Sequence, residues 1–168
     1  MSAFSADSEP LERFPLLLVI SNVSKTTNIF QLLNYGNAYG FVCLLVGCEL
    51  AIPDDKLLHH LPALKYYRYQ HLSDVSKYLK SRGIKLTGIE IMEEAIPLQA
   101  FPWTERYTDV KVKNEDCLPS VAIMPGNEGT GLSLNQKQYC DDYVFIPQYR
   151  ATIESLNVSV ATSIVLYE

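Results

Sequence analysis

A chain of 168 residues, 48% of them hydrophobic, is long enough to bury the core of one domain. Its formal charge of −5 argues against holding nucleic acid by bulk electrostatics and leaves a local basic patch as the route. The four cysteines (Cys43, Cys48, Cys117 and Cys140) form no C-x-x-C pair, which points to reduced thiols in an intracellular protein, cytoplasmic with a nuclear or organellar place left open, rather than to a disulfide frame or a metal site.

Residues 1–14, "MSAFSADSEPLERF", read as a flexible acidic arm that is neither a signal nor a transit peptide. Residues 15–168 read as one domain, with no apolar run of membrane-spanning length. "PLLLVIS" (15–21) is a short continuous apolar run, the pattern of a strand buried on both faces. A helical stripe follows at Ile29, Leu32, Leu33 and Gly36; Thr27 or Asn28 can cap its start and Gly40 can end it. "FVCLLVG" (41–47) is a second buried strand; Cys43 and Cys48 lie in one apolar stretch at an odd offset, so in a strand they would face opposite sides. Residues 48–65 read as loop plus a short turn, and "YYRYQ" (66–70) as an edge strand. "LSDVSKYLKSRG" (72–83) is an amphipathic helix with Ser73 or Asp74 near its cap, and "IKLTGIEI" (84–91) a strand. Residues 92–118, with the lone Trp103, are irregular. "SVAIM" (120–124) is a strand running into "PGNEGTGLS", followed by a short helix (133–140) and a strand, "DYVFIP" (142–147). A closing helix carries Leu156, Val160, Ala161, Ile164 and Val165 on one face. Strands alternating with helices predict an α/β domain with a mostly parallel sheet and helices on both faces. In such sheets ligands bind beyond the carboxyl ends of the strands, which selects the loops 21–28, 125–133 and 147–155.

The glycine loop has no following Lys-Ser/Thr, so it is not a phosphate-binding P-loop. Its G-x-x-G-x-G order is not a dinucleotide fingerprint, and Glu128 would repel a pyrophosphate. Two readings remain: a backbone that approaches a ligand closely, or a tight turn that needs glycine. Glu128 can also serve as a helix-start carboxylate ahead of "LSLNQ". The run Lys65–His71, "KYYRYQH", can touch phosphates and bases or simply decorate an edge strand. His59, His60 and His71 lack partners at metal-ligand spacing and are ordinary histidines.

"GNEGTGL", "DDYVFIPQY" and "SLNVSVATSIVL", in that order and spacing, resemble the two C-terminal motifs of the SpoU/TrmH branch of the SPOUT RNA methyltransferases. "ISNVSKTTNIFQLLNYGNAYGFVCLLVG" is similar to the family's first motif, so the likeness runs from about residue 16 to the end. The resemblance implies a deep C-terminal trefoil knot, S-adenosylmethionine as cofactor, a homodimer, and 2′-O-ribose methylation of tRNA or rRNA, with no metal and no membrane. It assigns the cofactor to Met124, Pro125, Gly126, Ile146, Ser155, Leu156 and Asn157, and catalytic positions to Asn28, Asn34, Glu128 and Asn157. Lys25 and Arg150 are the candidates for RNA contact. The family carries an arginine where this chain has Asn34, and no arginine or lysine occurs between Lys25 and Lys56. That departure, with Arg150 and Glu154 in the third motif, supports an alternative: a catalytically impaired knotted dimer acting as an RNA- or protein-binding module.

Overall fold

The computed structural model describes residues 16–47, 54–103, 121–149 and 155–168. The arm at 1–14, Cys48, Cys117, Arg150 and Glu154 lie outside the described residues. Strands β1 (Leu16–Ser21), β2 (Val42–Val46), β3 (Lys65–Tyr69), β4 (Leu86–Ile89), β5 (Ile96–Pro97), β6 (Val121–Pro125) and β7 (Asp142–Phe145) form one sheet. Its order is β3-β2-β1-β6-β4-β7-β5, and every pairing between these strands is parallel. β1, β2 and β6 are the apolar runs of the sequence, and their residues are buried on both faces because both faces are covered. The expected edge strand is β3, at one end of the sheet.

Alternate residues of each strand serve different cores. Leu18, Ile20, Cys43, Leu45 and Ile123 pack with helix α1 (Thr26–Tyr39), helix α2 (Asp54–His60) and the closing helix α5 (Val158–Tyr167). Leu17, Val19, Leu44, Ala122 and Met124 face helix α3 (Leu72–Ser81) and the segment around the short helix α4 (Leu134–Lys137). The chain after β1 therefore leaves towards one face, and the chain after β6 towards the other. The two chains part at the carboxyl ends of these adjacent strands, which makes this the topological switch point of the sheet.

Several local expectations need correction. Residues 54–60 form a helix rather than a turn, with Leu57 fully buried. α1 begins at Thr26 after Lys25, and neither Thr27 nor Asn28 caps it; it ends at Gly40 as expected. α3 begins after His71 with no side-chain cap from Ser73 or Asp74. The buried stripe of α5 is Val158, Ser159, Thr162 and Val165, while Val160 and Ile164 are exposed. The buried hydroxyls on that stripe are satisfied: Thr162 Oγ1 donates to the Val158 carbonyl at 2.7 Å and Ser159 Oγ to Gln31 Oε1 at 2.5 Å.

Candidate active site

The glycine loop is closed on itself. Asn127 and Gly131 exchange backbone hydrogen bonds at 2.9 and 3.1 Å, and the Asn127 side chain accepts from the Gly129 N–H at 2.9 Å. A Cβ on Gly126 would lie 2.8 Å from the backbone of Gly131 and Leu132. Gly131 has φ +65°, the left-handed region that glycine adopts without steric penalty. The glycines thus fold the loop tightly enough to present its backbone to a neighbouring cavity.

Glu128 leaves this loop and reaches the start of α1. Its Oε2 accepts from the Ser24 N–H at 3.1 Å and the Ser24 hydroxyl at 2.8 Å. Its Oε1 accepts from the Lys25 N–H at 3.0 Å and the Asn28 side-chain amide at 2.9 Å. The expectation that it steadies the helix after the loop is corrected: α4 is capped by Ser133, in a capping box with Gln136. α1, which lacks a side-chain cap of its own, receives a carboxylate from the glycine loop, at the positive end of its dipole. Partial burial alone would raise the Glu128 pKa. The Asn28 amide and the backbone N–H groups of Glu128, Lys25 and Ser24 outweigh it and hold the carboxyl at about 2.

The network continues into α5. Asn157 Nδ2 donates to Asn28 Oδ1 at 3.2 Å, and Asn157 Oδ1 caps α5 by accepting from the Ser159 N–H at 2.9 Å. Asn28, buried inside the first turn of α1, joins three segments that are far apart in sequence. Of the four catalytic candidates, Asn28, Glu128 and Asn157 meet. Asn34 does not: it lies about 9 Å further along α1 and is exposed. A carboxylate offers about four acceptor positions. Four donors already occupy those of Glu128, so it clamps the loops and has no lone pair left for proton abstraction.

Beside this clamp lies a cavity of about 360 Å³ at the carboxyl ends of β4, β6 and β7. Pro125, Gly126, Ile146, Ser155 and Leu156 line it, together with the rest of the loop to Gly131. Met124 is different: its side chain is fully buried in the core facing α3. Asn157 lies next to the lining, where Val158 and Ala161 of α5 take part. Lys25 is exposed beside Glu128. Among the described residues no group of three His, Cys, Asp or Glu side chains is arranged for a metal.

Glu90 is a lining residue with a chemical role that sequence reasoning missed. Its Oε2 accepts from the Leu132 N–H at 2.5 Å and its Oε1 from the Ile91 N–H at 3.2 Å, so it latches the far end of the loop. The signal was a carboxylate directly after a buried strand, in "GIEI", hidden because the strand was read through to Ile91.

Residues 15–167 match the SpoU rRNA Methylase family. The chain belongs to that family. Among curated SpoU relatives, the 23S rRNA (guanosine-2′-O-)-methyltransferase RlmB of Coxiella burnetii is 27% identical over 91% of this chain and 57% of its own length. Its counterpart from Acinetobacter baylyi is 26% identical over 91% and 58%. The chain thus spans under two thirds of these relatives. Among solved structures, the SpoU methyltransferase AviRb from Streptomyces viridochromogenes, in complex with AdoMet, superposes with a TM-score of 0.73 at 23% identity, over 99% of this chain and 61% of that one. The SpoU domain here has the same fold. No described helix is long and apolar enough to cross a membrane.

Proposed function

We propose that this SpoU domain transfers a methyl group from S-adenosylmethionine to a ribose 2′-hydroxyl of tRNA or rRNA, working as an intracellular homodimer. The observation that carries the reading is the cavity itself, walled by a glycine loop that Glu128 ties to α1 and Glu90 latches at its far end. The residues present fit an adenosyl group. The volume is in the usual range for a small-ligand site, backbone groups of 125–131 suit the edge of a purine, and Ile146 and Leu156 offer apolar contact for its face. Two of the acceptor positions of Glu90 are used, which leaves capacity for a ribose hydroxyl of the cofactor. When bound, S-adenosylmethionine supplies an electrophilic methyl group on a sulfonium.

The chain's own part is positioning. The Asn28–Glu128–Asn157 clamp ties the cavity's glycine loop and the start of α5 to α1, so binding spends little free energy on ordering them. Exposed Lys25, next to the clamp, is one candidate for contact with an RNA phosphate, and Arg150 is the other. Val160, Ile164 and Tyr167 expose apolar surface on α5, next to α1, and support a dimer through these helices. A C-terminal trefoil knot belongs to the same reading.

The saturated state of Glu128 and the uncharged, exposed Asn34 favour a second reading: a binding module with little or no turnover. Calorimetric titration with S-adenosylmethionine, followed by tritium transfer to total tRNA and rRNA, separates the two. Binding with label in alkali-stable linkages supports the enzyme; binding without transfer supports the module. No binding at millimolar cofactor sinks the enzyme and leaves the module.

A further inference from the structure

A second cavity, of about 440 Å³, opens at the carboxyl ends of β1, β2 and β3, outside the site described above. Its walls are Ser21, Asn22, Gly47, Gln70, His71, Ser73, Asn135 and Tyr139, with Val46 and Leu72 at its floor. We propose that it is a subsite for an unpaired base of the RNA strand that carries the target ribose. The proposal rests on the RNA reading above and adds to it a place where sequence is read.

The chemistry of the walls selects the ligand. No cationic side chain lines the cavity, and Asp74 stands in the first turn of α3 beside it, so a free phosphate is disfavoured. The lining side chains are instead neutral donors and acceptors, the kind that pair with the edges of bases. The side chains of Gln70, His71 and Ser73 make no hydrogen bond to the described residues. α3 begins without a side-chain cap, so its first backbone N–H groups add donors at the same wall. The half-buried ring of Tyr139 offers a stacking surface, and Leu134, 87% exposed one residue before Asn135, extends it.

Asn22 ties this cavity to the first. It is the one described non-glycine residue with positive φ, 57°. Its carbonyl accepts from the Asn127 side chain at 2.8 Å, and its own amide donates to Gln136 Oε1 at 3.3 Å. Gln136, buried, also donates to the Ser21 carbonyl at 3.1 Å. A strained residue held from both sides, between two cavities, is a feature found where geometry serves a site. Because all the strands are parallel, both cavities open on the same edge of the sheet. From β4 to β2, the strands at the middle of each cavity, is three strand spacings, about 14 Å, or about four stacked nucleotides. A single strand laid along this edge reaches both.

The test uses the full chain with S-adenosylhomocysteine present. Fluorescence anisotropy would measure binding of labelled A, C and U homopolymers of about 12 nucleotides and of a duplex of the same length, with total tRNA and rRNA as further probes. The variant is the double substitution Gln70→Ala/His71→Ala, both at exposed positions, with its melting temperature checked. The expected result is a preference of the native chain for one base by about tenfold, reduced to about twofold or less in the variant. Salt slope and S-adenosylhomocysteine affinity should be unchanged. A preference that survives the substitutions, or a native chain with none, overturns the subsite and leaves the RNA reading standing. Failure of every RNA to bind overturns both.

Discussion

Glu128 Oε1 accepts the side-chain amide of Asn28 at 2.9 Å, across 100 residues of sequence, and the same carboxylate holds the backbone at Ser24 and Lys25. The carboxylate is ionised well below its ordinary pKa of 4.5, with a folded-state value of about 2. Its pKa is lower in the folded state than in the unfolded chain, so its contribution to stability is complete above about pH 4.5 and is lost as pH falls towards 2. Glu128→Gln should cost about 1–2 kcal/mol at neutral pH, the range for hydrogen bonds to a partly exposed charge. Urea unfolding across the acid range checks this: the gap between the two proteins should close within that window. A gap that stays constant would show that the charge is not what holds α1.

Gly126→Ala should damage the loop rather than the core. The new Cβ would sit 2.8 Å from the backbone of Gly131 and Leu132, where no flexible side chain can give way. The expected loss is about 1–3 kcal/mol with cofactor affinity falling by more than tenfold, read by thermal melting and calorimetry. Unchanged cofactor affinity would mean that the closed loop does not form the cavity wall.

Glu90→Gln keeps a carbonyl oxygen for the Leu132 N–H and removes the charge. We expect a melting temperature close to that of the native chain and about tenfold weaker S-adenosylhomocysteine binding, the scale of one charged hydrogen bond. Glu90→Ala should lower both. Equal affinity of the native chain and Glu90→Gln would reduce Glu90 to a latch.

Asn34→Arg tests the missing cation. The position is exposed on α1, so the change should alter stability by no more than about 0.5 kcal/mol. A rise in methyl transfer to RNA, with unchanged cofactor affinity, would show that the arginine is what turnover lacks. Cofactor binding without transfer in the variant as well would favour the binding module.

Much of the sheet was legible because β1, β2 and β6 are buried on both faces, and continuous apolar runs announce that. α5 was legible as a helix but not in its orientation. "VSVATSIVLY" is apolar nearly all round, so periodicity could not choose a face, and Ser159 and Thr162 were buried by hydrogen bonds that no pattern of hydrophobicity displays. α2 escaped because its seven residues, starting at Asp54 among prolines and histidines, are too few for a period to show. The glycine loop was visible from its spacing. The partners of its carboxylate were not, since a contact between residues 28 and 128 leaves no local trace.

The central pairing has a consequence for synthesis. β1 lies between β2 and β6, with Leu16 opposite Val121. While the chain is being made, β1 and β2 can pair as soon as both exist, but the other edge of β1 stays open until residue 121 emerges. At about 5–20 residues per second that is an interval on the order of 5–20 s. Throughout it, one of the most apolar strands of the protein presents unpaired backbone, and the start of α1 has no carboxylate to hold it. A nascent chain stalled within that span is the form most exposed to misassociation.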